Sequence, residues 1–219
     1  LDHADGHGGH RPPVFRIRTL PDIDQRKSRL RQKLRERRRI AAAANGAAIA
    51  ALAAERFTAA IPLSSGLVIA GYWPLPEELD PRPLLDRLRA EFAARIVLPV
   101  VEAPARPLRF RLWQQGTPLH PDRFGIPSPG PEAPEVRPDI LIAPLVGFDA
   151  AGGRLGLGGG FYDATLADLR ADASAALLAV GYAFAVQQVP VVPLGVMDQR
   201  LDWVVTERRA IRCGEARPM

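Results

Sequence analysis

Gly152-Gly153-Arg154-Leu155-Gly156-Leu157-Gly158-Gly159-Gly160-Phe161-Tyr162-Asp163 is the stretch on which the reading of this chain turns. A continuous apolar run, Ile140 to Val146, precedes it, and a helical-looking stretch, Ala164 to Arg170, follows. A buried strand, then glycines, then a helix start is an arrangement that turns backbone N–H groups toward an anion. Glycines at 156, 158, 159 and 160 remove the Cβ atoms that would hold a phosphate away, and they permit positive φ. The helix that follows adds the positive end of its dipole. The stretch is therefore predicted to hold a polyphosphate. It is not a Walker loop, because no Lys-Ser or Lys-Thr follows the glycines. Nor is it a dinucleotide fingerprint, which belongs after an early strand and not in the last third of a chain. A plain flexible turn is the alternative, and the ordered Arg154, Tyr162 and Asp163 speak against it. Asp163 itself has two open readings, helix N-cap or metal ligand.

Working outward, 219 residues with 47% hydrophobic content suffice for one sizeable α/β core. The net charge of +5 is unevenly spread: residues 26–39 hold nine Lys or Arg against one Glu, so the remainder is net acidic. Cys213 is the single cysteine, which excludes an internal disulfide and a cysteine-based zinc site and suits a reducing cytoplasm. No run of apolar residues reaches the length of a bilayer span, so no membrane partner is expected. Arg37-Arg38-Arg39-Ile40 with the Ala-rich 41–54 imitates a twin-arginine leader, but it begins far into the chain and Asn45-Gly46 interrupts it. Residues 1–22, with His3, His7 and His10, read as a disordered extension, 23–212 as one domain, and 213–219 as a tail.

From Asp24 the pattern turns helical, with Leu30, Leu34 and Ile40 on one stripe and arginines elsewhere. Residues 41–60 read as a second helix, and Leu67 to Trp73 as a buried strand stopped by Pro74. A helix from Pro81 to Ala93 follows, with Leu84, Leu85, Leu88 and Phe92 inward. Strands are then expected at 95–101 and 108–113, an extended proline-rich connection at 127–138, and apolar stretches at 175–183 and 203–206. Strands alternating with helices predict a three-layer α/β sandwich with a mostly parallel or mixed sheet. Lys27 and Arg31, four apart, share a helix face and could grip one polyphosphate together. A solvated basic face and a nucleic-acid site are the other readings of that run. Glu77 and Glu78 either favour the next helix dipole or offer a carboxylate to a ligand.

Arg154-Leu155-Gly-x-Gly-x-Gly-Phe161-Tyr162-Asp163, preceded by Val146-Gly147-Phe148-Asp149, resembles the signature of the 5-formyltetrahydrofolate cyclo-ligase family. Lys27-Ser28-Arg29-Leu30-Arg31 is similar to that family's N-terminal K-x-x-x-R, whose cations reach nucleotide phosphates. The resemblance covers residues 25–207 and implies a sugar-phosphate isomerase-like scaffold. It implies ATP bound by Lys27, Arg31, Arg154, Leu155, Gly156, Leu157, Gly158, Gly159, Gly160, Phe161 and Tyr162. It implies 5-formyltetrahydrofolate held by Glu78 at its pterin, with Trp73, Phe124 and Tyr162 lining the pocket. It implies Mg²⁺ on Asp163 and on a second acid, Asp198 or Asp202, with Asp198 favoured. Two positions depart from the pattern: Ser128 and Val196 stand where the family often has glutamate.

The implied reaction is ATP- and Mg²⁺-dependent closure of 5-formyltetrahydrofolate to 5,10-methenyltetrahydrofolate, with Arg154 and Tyr162 as the catalytic side chains, acting as a monomer with no specific nucleic-acid partner. Three rivals remain. An RNA-binding protein would use the arginine-rich helix but leaves 154–163 without a task. A sugar-phosphate isomerase or CoA transferase would need a carboxylate or lysine in the cleft, and the only lysines, 27 and 33, lie in the basic helix. A paralogue without ligase activity would show at Ser128 and Val196.

Overall fold

A computed structural model of the chain describes residues 22–104 and 106–214. The histidine-bearing extension and most of the proposed tail lie outside these residues. The chain opens with α1 (Ile23–Ala60), in which two helical segments meet at a kink, as the sequence pattern predicts, with the break at Asn45 and not at the expected 40/41 boundary. Asn45 breaks its helical geometry with φ −167° and ψ 49°, so the helix kinks where Asn45-Gly46 interrupts the sequence pattern. Next come β1 (Val68–Ala70), α2 (Arg82–Phe92), β2 (Arg95–Val100) and β3 (Arg109–Leu112). A short pair, β4 (His120–Pro121) and β5 (Pro127–Ser128), leads to β6 (Ile140–Ala143). The glycine stretch forms a second small pair, β7 (Gly147–Phe148) with β8 (Arg154–Leu155), and then α3 (Phe161–Ala171). Strands β9 (Leu178–Tyr182), β10 (Trp203–Val205) and β11 (Ala210–Arg212) complete the chain.

Seven strands make the main sheet in the order β11-β10-β9-β6-β1-β2-β3. Its five central strands are parallel and both edge strands are antiparallel. The central strands are buried on both faces, which is why they read as unbroken apolar runs. Ile69, Ile96, Leu98, Ile140, Ile142 and Val180 face one side, against Phe57 of α1 and Leu84 and Leu88 of α2. Their neighbours Val68, Ala70, Val97, Leu141, Ala143 and Ala179 face the other, against Leu166 of α3. Helices on both faces of one sheet are the three layers the sequence predicted.

Helix α1 contains a window long and apolar enough to cross a membrane, a property that counting runs of apolar residues had not registered. Part of the helix packs on the core, with 22% of that window buried. Ala50, Ala53, Ala54 and Phe57 are buried, and Phe57 meets Tyr182 edge-on at 6.4 Å. Earlier in α1, Leu34 is fully buried in a separate cluster with Val146, Leu155 and Val192.

The chain leaves β1 for β2 on one side, then crosses back to β6 on the other. That reversal opens a crevice at the carboxyl ends of β1 and β6, where ligands bind in parallel sheets of this kind. Leu34 fixes the amino-terminal half of α1 beside that crevice. Leu34→Ala should lower unfolding free energy by about 3 kcal/mol. The check is a reduced urea midpoint with an unchanged denaturant slope.

Candidate active site

A cavity of about 640 Å³ lies at this crevice, walled by Tyr72 and Trp73 after β1, Pro99 and Val101 of the β2 end, and Pro144 and Leu145 after β6. The glycine loop, from Arg154 to Asp163, forms another wall. Asp149 holds that loop in shape. Its buried carboxylate accepts the N–H groups of Ala151 and Gly153 on Oδ1 and of Val192 on Oδ2. Gly152 sits at φ +83°, and a Cβ there would lie 2.4 Å from the Leu201 carbonyl oxygen. Only glycine fits this close approach.

Beyond the hairpin, Gly158 and Gly160 adopt positive φ of 113° and 70°. Gly160 is the residue that caps α3, so Tyr162 and Asp163 belong to the first helical turn. The helix-cap reading of Asp163 is thereby corrected. Its carboxylate turns to Arg154 Nη2 at 2.6 Å and to the Gln199 N–H at 3.0 Å, both on Oδ1. The second bond brings Asp163 beside the segment that carries Asp198. Arg154 is almost wholly buried, its guanidinium 5.5 Å from the Tyr162 ring centre, and its Nε has no hydrogen-bond partner among the described residues.

Helix α1 supplies the cations opposite. Arg31 Nε donates to the Gly156 carbonyl at 2.9 Å, and its guanidinium approaches the place where a side chain on Gly158 would begin. Lys27 Nζ pairs with Asp198 Oδ2, which also accepts the Gly195 N–H. Asp202 plays a different part: it accepts the Ala179 N–H and pairs with Arg170, away from the cavity wall. Among the described residues no three acidic, histidine or cysteine side chains converge, but Asp163 and Asp198 both line the cavity.

The far end of the cavity is aromatic and acidic. Trp73 meets Trp113 edge-on there at 6.0 Å, whereas Phe124 meets Phe161 of the glycine loop at 5.8 Å. Phe124 remains half exposed, so it is not a buried loop aromatic. The two neighbouring glutamates diverge: Glu77 is 42% exposed, whereas Glu78 is 6% exposed and lines the cavity. Asp80, not Glu78, tends the start of α2, accepting the Arg82 N–H at 2.9 Å. Glu78 accepts the Leu75 N–H at 3.0 Å and faces Arg38 at 3.5 Å. Burial nevertheless outweighs both and raises its pKa. Burial, assisted by the Glu78 carboxylate, pushes the Tyr162 phenol up, so this hydroxyl keeps its proton and can donate.

The arrangement suits an extended ligand with an anionic end at the glycine loop and a donor-rich, flat end at Glu78 and Trp73. A model of the 5-formyltetrahydrofolate cyclo-ligase family matches residues 23–207. The chain belongs to that family. The 5-formyltetrahydrofolate cyclo-ligase of Escherichia coli K12 is 35% identical over 179 residues, 79% of this chain and 96% of that protein. The cyclo-ligase of Mycolicibacterium smegmatis is 36% identical over 110 residues, 47% of this chain and 56% of that protein. The structure of Aquifex aeolicus 5,10-methenyltetrahydrofolate synthetase aligns with a TM-score of 0.70 at 27% identity, over 88% of this chain and 95% of that one. A Mycoplasma pneumoniae 5,10-methenyltetrahydrofolate synthetase aligns at 0.63 and 21% identity, covering 83% and 98%, which speaks for the fold alone.

Each residue to which the cyclo-ligase resemblance gives a favoured binding or catalytic role, from Lys27 to Asp198, lines this one cavity, whereas the alternative acid Asp202 does not. Arg38 and Asp149 were not singled out. Asp149 stood in the Gly-Phe-Asp motif, and that was its signal. Asp149→Ala leaves three backbone N–H groups without their acceptor and should cost about 3 kcal/mol. Asp149→Asn, which keeps one oxygen, should cost less, and paired urea titrations compare the two.

Proposed function

We propose that this chain converts 5-formyltetrahydrofolate to 5,10-methenyltetrahydrofolate with hydrolysis of ATP to ADP and phosphate. One observation carries the reading: a single cavity joins the glycine loop and its two helix cations to the buried Glu78 and Trp73. A pterin presents its 2-amino and N3–H groups as a donor pair, which one carboxylate accepts with both oxygens. Glu78 is placed to do so, with Trp73 as an apolar wall and Phe124 at the more exposed side.

The chemical difficulty is that a formamide carbonyl is a weak electrophile and its oxygen a poor leaving group. Transfer of the γ-phosphoryl group to the formyl oxygen answers both. N10 then attacks the formyl carbon, N10 loses its proton, and phosphate departs with the oxygen as the ring closes. Phosphoryl transfer asks chiefly for positioning and charge neutralisation. The amides of Gly156 to Gly160 and the α3 dipole offer the first anion contacts, and Lys27 and Arg31 add charge from the opposite wall. Arg154, buried and fixed by Asp163, faces the place where the transferred group must pass. Tyr162 retains its proton and orients a phosphate or formyl oxygen.

Magnesium fits the same site. Asp163 Oδ2 and Asp198 Oδ1 take no hydrogen bond from a described residue, and a hard cation that keeps phosphates and water needs only one or two carboxylates. Bound there, Mg²⁺ would neutralise phosphate charge. Three of the nine cations of residues 26–39, Lys27, Arg31 and Arg38, turn into the protein and are withdrawn from a nucleic-acid surface.

Methenyl absorbance should rise only when 5-formyltetrahydrofolate, ATP and Mg²⁺ are all present, and a chelator should stop it. Absence of turnover from the complete mixture refutes the enzyme reading. Glu78→Gln should raise KM for the folate about 10- to 100-fold, the loss expected of a charge-assisted pair, with KM for ATP unchanged. The pH dependence has a defined sign. The ionised carboxylate binds, so affinity is present above the Glu78 pKa and lost as pH falls through it. Because burial raises that pKa, the loss begins at higher pH than for a solvated glutamate. Folate titrations across the acid range should show this limb in the native protein and not in Glu78→Gln.

A further inference from the structure

Lys27, Arg31, Leu34 and Arg38 follow one another at spacings of four, three and four, and so form one stripe on α1. The first two reach the glycine loop and Asp198, and Leu34 docks the helix. Arg38 continues the stripe to the other end of the cavity. Its side chain is 3% exposed, and it does not line the cavity. It stands behind the wall and reaches three acceptors: Glu78 Oε1 at 3.5 Å, Glu77 Oε2 at 3.8 Å and the Leu145 carbonyl at 3.4 Å.

The geometry points to Arg38 as a positioning residue that keeps Glu78 ionised and aimed at its ligand. Resting on the folate reading above, the inference adds a residue that does not touch substrate. Glu78 makes its only ion pair among the described residues with Arg38. The other groups around it do not supply positive charge: Tyr72 and Tyr162 are buried phenols, Glu77 is acidic, and the Leu75 N–H is a neutral donor. A buried carboxylate deprived of its cation takes up a proton more readily. Protonated, Glu78 could accept less well from a donor pair. A guanidinium also suits the place better than an ammonium, because its planar fork meets two carboxylates and a carbonyl at once. The Leu145 contact adds a second constraint, joining the loop of Glu78 to the end of β6, next to the start of the glycine hairpin.

The test is calorimetric titration of 5-formyltetrahydrofolate onto the full chain and its Arg38→Met and Arg38→Lys variants, repeated across the acid range. The Met variant should bind folate at least about tenfold more weakly at neutral pH. Its acid limb should move to higher pH by about one unit, because the cation that favoured the ionised form has gone. Affinity for ATP with Mg²⁺ should stay within about twofold, since Arg38 lies at the opposite end of the stripe. The Lys variant keeps a charge without the fork, so its limb should remain near the native position while its affinity falls. In a Glu78→Gln background, Arg38→Met should move no limb. An unmoved limb in the Met variant overturns the inference. So does an equal loss of folate and ATP affinity in both variants, which is the mark of general damage. Should the Met variant not fold, a Lys limb displaced as far as loss of the charge would predict overturns it as well. Native protein that binds ATP but no folate removes the folate reading itself, and this proposal with it.

Discussion

Leu34 lies with no exposed surface among Val146, Leu155 and Val192, and the geometry of the cavity depends on that contact. It locks a charged half-helix against the hairpin that bears the glycine loop. A Cβ on Gly147 would run into Leu34 Cδ1 at 2.3 Å, so the glycine preceding Phe148 is part of the same fit. Without this apolar anchor, the basic run from Arg26 to Arg39 would be what its composition suggests, a self-repelling helix better solvated than packed. With it, Lys27 and Arg31 stand on one side of the anchor and Arg38 on the other.

Charges brought that close to a core need partners, because desolvation is costly and an orphaned buried ion costs about 3–5 kcal/mol. The chain answers with pairs that cross the cavity walls: Lys27 with Asp198, Arg154 with Asp163, Arg38 with Glu78. Buried pairs of this kind are weak sources of stability, and an apolar replacement of equal volume would often serve the fold as well. Their presence around a cavity is better explained by what they hold in place. Arg154 illustrates the point. It is buried, fixed at one end by Asp163, and its Nε has no acceptor among the described residues in the wall of the cavity. The sheet adds the remaining constraint. Because β1 lies between β2 and β6, loops from its carboxyl end and from β6 diverge, and the space between them need not be carved from the core.

Much of this was legible in the sequence, for identifiable reasons. Doubly buried parallel strands appear as apolar runs, and the glycine stretch carries positional demands that survive as ordered residues, at Gly152 and Gly158 above all. What could not be read locally was the partner of each charge. Arg38 sits in a run of near-identical arginines, and although it falls four residues after Leu34 on the same stripe, residue type does not mark it as buried where Arg37 and Arg39 beside it are exposed. Its acceptor is Glu78, 40 residues on, while those of Arg31 and Lys27 are 125 and 171 residues away. The same blindness affected Asp163, which residue type alone offered equally as a helix cap. Gly160, with a left-handed backbone, had already taken that position. The sequence pattern predicts two helices meeting at 40/41; the break falls a few residues later, at Asn45, and packing on both halves keeps the two segments in register across the kink. Local pattern records what a residue does for its own element. Whether a cation is solvated or buried is decided by Leu34, through the angle at which one helix meets a hairpin more than a hundred residues later in the chain.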